Sequence, residues 1–138
     1  GSLEATLRKQ AARLGVTQRI RFLGWQEDPA PLYEAADLVV CSSRIEPLGN
    51  VVLEAWARRR PIVATAAQGP TELIRDGENG LLVPVDDPQA LASGIDQVLS
   101  NPEVAQNLVK TGLAGYTAQF SESVVVRRYL DFFDQVAA

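Results

Sequence analysis

Residues 42–65 read SSRIEPLGNVVLEAWARRRPIVAT. The run VVLEAWA is apolar on most sides, yet one carboxylate, Glu54, is set into its middle. Glu46 lies one loop earlier, directly before a Pro-Leu-Gly turn. The spacing predicts a helix over about 50–58, opened by Gly49-Asn50 and closed at Arg58-Arg59-Arg60, where cations complement the carbonyl end of a helix. Pro61 to Ala64 is too short and too apolar for a second helix and reads as a buried strand.

The same alternation continues on both sides. Upstream, LVVC (Leu38 to Cys41) is an apolar strand, and Asp28-Pro29 starts a helix through Ala36. Ile20 to Leu23 reads as another short strand. Leu3, Leu7, Ala11 and Leu14 form a helical stripe that Gly15 closes. Downstream, DGENG is turn chemistry and Leu81 to Val83 a strand. Asp87-Pro88 and Asn101-Pro102 each begin a helix with a capping side chain followed by proline. Short apolar strands alternating with helices predict an α/β fold: a doubly wound parallel sheet covered on both faces. Four strands make a thin sheet of that kind. The chain opens on a helix, so one or more strands are expected to precede it in a longer protein. Residues 1–138 read as one domain. The last helix, 121–136, is expected to pack outside it, because Val125, Tyr129, Phe132, Phe133 and Val136 form a wider stripe than one small sheet face needs. Covering that stripe with a second copy would make the chain a homo-oligomer.

Composition bounds the chemistry. With 138 residues, 46% hydrophobic and 22% charged, the chain has the make-up of one globular domain. Its net charge of -4 gives no support to nucleic-acid binding. No apolar run is long enough for a membrane span. The polar start, GSLEATLRKQ, is unlike a signal peptide, and the single Cys41 suits a reducing compartment, so a cytoplasmic location is expected. The absence of histidine excludes a Ser-His-Asp triad and imidazole acid–base work. The chain has no methionine either, so a processed or excised chain is expected; Gly1-Ser2 fits a cloning remnant or a native start.

Ligands of doubly wound sheets bind beyond the carboxyl ends of the strands. Ser42 to Asn50 is such a loop, and it runs into a helix start whose free N–H groups near Gly49, Asn50 and Val51 favour an anion. Gly49 allows close approach of the backbone. Glu54, about 6 Å further along the axis than Asn50, would repel a phosphate but suits the two hydroxyls of a ribose. Glu46 would face what lies beyond the phosphates, where sugar hydroxyls or positive charge at an anomeric carbon give a carboxylate work. From spacing alone, two solvated glutamates near a helix N-terminus fit equally well.

Glu46-Pro-Leu-Gly-Asn50 through Glu54-Ala-Trp-Ala57, followed by Pro61-Ile-Val-Ala-Thr65, resembles the E-x7-E region of retaining GT-B glycosyltransferases, in the large bacterial group 1 (family four) branch that uses nucleotide sugars. RIRFLGW with PLYEAADLVVCSS is similar to the segment before that motif, and GPTELIRDGENGLLVPVDDPQAL to the segment after it, so the resemblance covers nearly the whole chain. It implies that residues 1–138 are a truncated Rossmann-like, nucleotide-sugar-binding domain, the C-terminal, donor-binding half of such an enzyme. Glu54 then holds the donor ribose and Glu46, the catalytic candidate, lies at the transferred sugar. The backbone of Leu48, Gly49 and Asn50 approaches sugar and diphosphate, and Gly24 and Trp25 border the nucleobase. Gln68-Gly69-Pro70 stands where the family has a glycine-rich turn; Glu72 reads first as a helix-start carboxylate and second as a site residue. Two departures are visible. Arg59 replaces a customary glycine after the motif helix, and the family's basic pair for the diphosphate is not among these residues and is expected before Gly1. The resemblance further implies metal-independent transfer with no cofactor, a nucleotide-sugar donor, an acceptor-binding N-terminal domain as partner, and a parent enzyme at the inner face of the membrane in surface-glycan or lipopolysaccharide synthesis. A non-catalytic binding module on the same fold is the alternative; a GT-B sugar-nucleotide epimerase fits less well without histidine.

Overall fold

The computed structural model describes residues 2–137. The described residues form seven α-helices and three strands, in the order α1 Glu4–Arg13, α2 Ala30–Ala35, β1 Val39–Cys41, α3 Asn50–Ala57, β2 Ile62–Thr65, α4 Gln68–Leu73, β3 Leu81–Val83, α5 Pro88–Ser100, α6 Pro102–Gln119 and α7 Glu122–Ala137. The strands are parallel in the order β1-β2-β3, with Val39 opposite Ile62 and Val63 opposite Leu81. This is the expected α/β architecture, a parallel sheet with helices on its faces.

The core is organised by β2, whose four residues are all buried. Successive side chains of a strand point to opposite faces. Ile62 and Ala64 accordingly join Val39, Val52, Ala55, Trp56 and Ile74 on one side, and Val63 joins Leu81, Val83, Val98 and Leu108 on the other. Helix α6 braces the first cluster at Gly112, where a β-carbon would stand 2.4 Å from Trp56 Cδ1. Trp56 is fully packed, and its indole N–H donates to Asn79 O at 2.7 Å.

Helix boundaries follow local chemistry. Asp87 accepts from Ala90 N and Asn101 from Glu103 N and Val104 N, so each caps the helix that its following proline begins. The end of α3 is a Schellman motif: Arg60 N–H donates to Ala55 O at 2.9 Å and Arg59 N–H to Trp56 O at 3.0 Å. The motif needs a left-handed residue between them, and Arg59 adopts it with φ 56°. Arginine therefore tolerates the geometry that glycine would adopt without strain.

One expected element does not form. Ile20 has an extended backbone, but residues 20–25 pair with no strand among the described residues. A strand exists only through a hydrogen-bonded neighbour, and three strands form where four were expected. Ile20 and Leu23 are left exposed, while Phe22 is held beneath the Arg8 guanidinium at 4.3 Å. The α1 stripe forms as a helix face, but only Ala11 is buried. Helix α7 has no buried residue and touches α6; Phe133 stacks on Tyr129 and meets Phe132 edge to face, and all three rings are more than half exposed. No described helix is long and apolar enough to cross a membrane.

Candidate functional site

The loop from Ser42 to Gly49 leaves the carboxyl end of β1 and is fastened at three places. Thr65, buried at the end of β2, donates its hydroxyl hydrogen to Ser43 O at 2.6 Å. Arg44 pairs with Asp86 in the turn after β3; both side chains are largely exposed, so this ion pair adds little stability. Gly69, in the first turn of α4, donates its N–H to Glu46 O at 2.7 Å. The loop is thus joined to β2, to the turn after β3 and to α4.

At its end the loop turns into α3 through Gly49, which takes φ 73° and is buried. Here the structure corrects one sequence expectation. The Gly49 N–H is already used, because the Glu46 carboxylate reaches back across the turn and accepts it at 3.1 Å. The reach is that of a capping side chain, made from the residue three positions before. The amides of Asn50 and Val51 meet no acceptor among the described residues. They open the first turn, where the dipole favours negative charge.

Glu54 lies one turn on, half-buried, beside a cleft of about 240 Å³ lined by Asn50, Leu53, Arg58, Tyr116 and Phe120. Its carboxylate also neighbours the Tyr33 hydroxyl from α2. Burial first, then hydrogen bonding and charge from Glu54, push the Tyr33 phenol far above its usual range. Arg58 lies over the Tyr33 ring at 5.4 Å, so Glu54, Tyr33 and Arg58 form one polar group on the flank of α3. Sequence reasoning missed Tyr33, because nothing in PLYEAA distinguishes its ring from a core-facing one.

Five of the sequence-derived residues thus belong to one unit: Glu46, Leu48, Gly49, Asn50 and Glu54. Leu48 is exposed at the tip of the loop. Gly24 and Trp25 come from the segment before α2, in an exposed turn where Gly24 has φ 69° and Trp25 is 92% exposed. The Gln26 side chain closes that turn by donating to Leu23 O and Trp25 O. No described hydrogen bond or ion pair joins it to the Glu46 loop. Glu72 is exposed in the second half of α4, away from the helix start assigned to it from sequence. Among the described residues no three metal-ligating side chains cluster. Chemically, the unit offers two free amides and a helix dipole for an anion, with a carboxylate on each side for hydroxyl groups.

The model of the group 1 glycosyl transferase family matches residues 1–101. The chain is 42% identical over 130 residues to the lipopolysaccharide core biosynthesis glycosyltransferase LpsE of Rhizobium meliloti, covering 94% of this chain and 38% of LpsE. Among solved structures it superposes on Anabaena HepE in complex with UDP with a TM-score of 0.89, at 30% identity, over 95% of this chain and 36% of HepE. HepE in complex with UDP-glucose gives 0.87. The C-terminal domain of the group 1 glycosyl transferase LpcC from Francisella tularensis matches with a TM-score of 0.79 and 29% identity, over 88% of this chain and 64% of that one. The chain therefore spans little more than a third of the length of LpsE and HepE.

Proposed function

The chain belongs to the group 1 glycosyl transferases, and from that premise we propose that it is the donor-binding half of a retaining GT-B enzyme. The enzyme would move a sugar from a nucleoside diphosphate to an acceptor hydroxyl, in the synthesis of a cell-surface glycan such as lipopolysaccharide. One observation carries the reading. The free amides of Asn50 and Val51 stand at a glycine-opened helix start, with Glu46 on the loop before them and Glu54 one turn beyond. A nucleoside diphosphate sugar has the matching order of groups: ribose diol, two phosphates, hexose. The UDP and UDP-glucose bound to HepE, a protein of similar fold, support that class of donor.

In this reading the amides and dipole of α3 take the diphosphate charge, which removes the need for a metal ion. Glu54 accepts from the ribose hydroxyls. Glu46 lies at the hexose and stabilises positive charge as the anomeric carbon–phosphate oxygen bond breaks. The acceptor oxygen bonds to that carbon on the face the phosphate leaves, and the departing phosphate takes its proton, so configuration is retained. In such an enzyme the acceptor would be held by the other half.

Titrating the 138-residue chain with UDP and UDP-glucose tests the proposal. A charged hydrogen bond made in the ground state is worth roughly 1.5–3 kcal/mol, so Glu54→Ala should weaken binding about 10- to 100-fold. Glu46→Ala should change donor affinity about threefold or less and, in the whole enzyme, chiefly lower kcat, because a contact at the reacting carbon matters most in the transition state. Failure of a panel of nucleoside diphosphates to bind the wild type would remove the proposal, and the reverse pattern in the two variants would exchange the two roles.

A further inference from the structure

We propose that Gly69 is a positioning residue for the donor site, a role that rests on the donor-binding reading above. Gly69 is buried in the first turn of α4 and lies outside the Glu46–Glu54 segment. A β-carbon there would stand 2.5 Å from Gly49 N, 2.6 Å from Leu48 C and 2.7 Å from Glu46 O. All three are backbone atoms of the loop, so none can swing away as a side-chain tip would. The glycine is not required by torsion, since it is absent from the left-handed residues of the chain. It is required by approach.

The contact works from both sides. A β-carbon on Gly49 would meet Gly69 C at 3.2 Å and Pro70 N at 3.3 Å, so the two glycines stand back to back. The Gly69 N–H then bonds the carbonyl of Glu46 itself. On the far side, the Thr71 hydroxyl bonds Gln68 O at 2.7 Å and steadies the turn that presents Gly69. The positions of the Glu46 carboxylate and of the Asn50 and Val51 amides are thereby set by α4, an element that supplies no group to the donor. Carbon contacts settle near 3.5 Å, so any side chain at position 69 displaces the loop by about 1 Å. A displacement of that size at a reacting centre costs on the order of 100-fold in rate.

The test compares Gly69→Ala with Gly94→Ala in the full 138-residue chain. Gly94 is a control of similar chemistry away from the loop, where a β-carbon would crowd the Val63 and Val83 side chains at 3.1 and 3.3 Å. Affinities for UDP-glucose and for UMP are measured with melting temperatures. Gly69→Ala should lower UDP-glucose affinity at least about tenfold and UMP affinity less than about threefold, because the ribose contact at Glu54 remains on α3. Gly94→Ala should lower melting without changing the ratio of the two affinities. An unchanged ratio in Gly69→Ala, or equal losses for both ligands, would overturn the proposal. Should Gly69→Ala not fold, amide exchange on the wild type decides. Saturating UDP-glucose should slow exchange of the Gly69 N–H at least about tenfold, and an unaltered rate overturns the role. A wild type that binds no UDP-glucose but does bind another nucleoside diphosphate sugar moves the same comparison to that ligand. A wild type that binds none of them ends the donor-site reading and this one together, before any variant is measured.

Discussion

Replacing Arg59 by glycine should stabilise the protein, although arginine is the better helix former. Arg59 occupies the left-handed position of the Schellman motif that ends α3, with φ 56°. For an L-residue that conformation costs roughly 1–2 kcal/mol. Glycine removes this cost but adds roughly 0.5–1 kcal/mol of unfolded-chain entropy, and deleting a cation at the helix end loses about 0.3 kcal/mol. The net gain over the wild type is roughly 0.5 kcal/mol. Arg59→Ala separates the causes, because it loses the charge yet keeps the strained torsion. The two variants should differ by roughly 0.5–1 kcal/mol, which at about 4 °C per kcal/mol is roughly 2–4 °C in melting temperature. Thermal unfolding followed by far-UV circular dichroism resolves that difference. If Arg59→Gly melts at or below Arg59→Ala, the left-handed strain is not the governing cost.

Gly112→Ala should destabilise by roughly 1–3 kcal/mol through overpacking against Trp56; urea unfolding measures it, and a loss under about 0.5 kcal/mol would mean that α6 shifts freely away. Tyr33 should make stability fall at alkaline pH. Its folded pKa is raised above the ordinary tyrosine value of about 10, so its contribution is complete below pH 10 and is lost as pH climbs toward the folded value. Melting temperatures from pH 8 to 11 should therefore decline less steeply for Tyr33→Phe, and identical slopes would dissociate Tyr33 from the effect. A Phe132→Ser, Phe133→Ser variant should melt within a few degrees of the wild type, since both rings are 56% exposed and off the main core; a large drop would place them in it.

How much of this was visible in the residues alone depended on the range of the interaction. Helices α5 and α6 begin where Asp87-Pro88 and Asn101-Pro102 say they should, because a cap is a bond between neighbours. Helix α3 and strand β2 were readable for a related reason: periodicity is stored along the chain, and the pattern around Glu46 and Glu54 put both carboxylates at one helix start. Ile20 to Leu23 has the composition of a strand and does not form one, because pairing depends on a partner that composition does not encode.

What only the tertiary structure decided are the meetings of residues far apart in sequence. That Glu46 spends its carboxylate on the Gly49 N–H, leaving the next two amides free, is a matter of one loop's final shape. That Tyr33 faces Glu54, and that Gly69 lets α4 come within backbone contact of the Glu46 loop, follow from how separate helices settle on a common sheet. The sequence by itself determined the order of elements, their caps and the residue types available at the strand ends, since those are set by steric and hydrogen-bonding preferences of adjacent residues. Which of those residues touch was set by close packing, where tenths of an ångström between backbones decide whether a position tolerates any side chain.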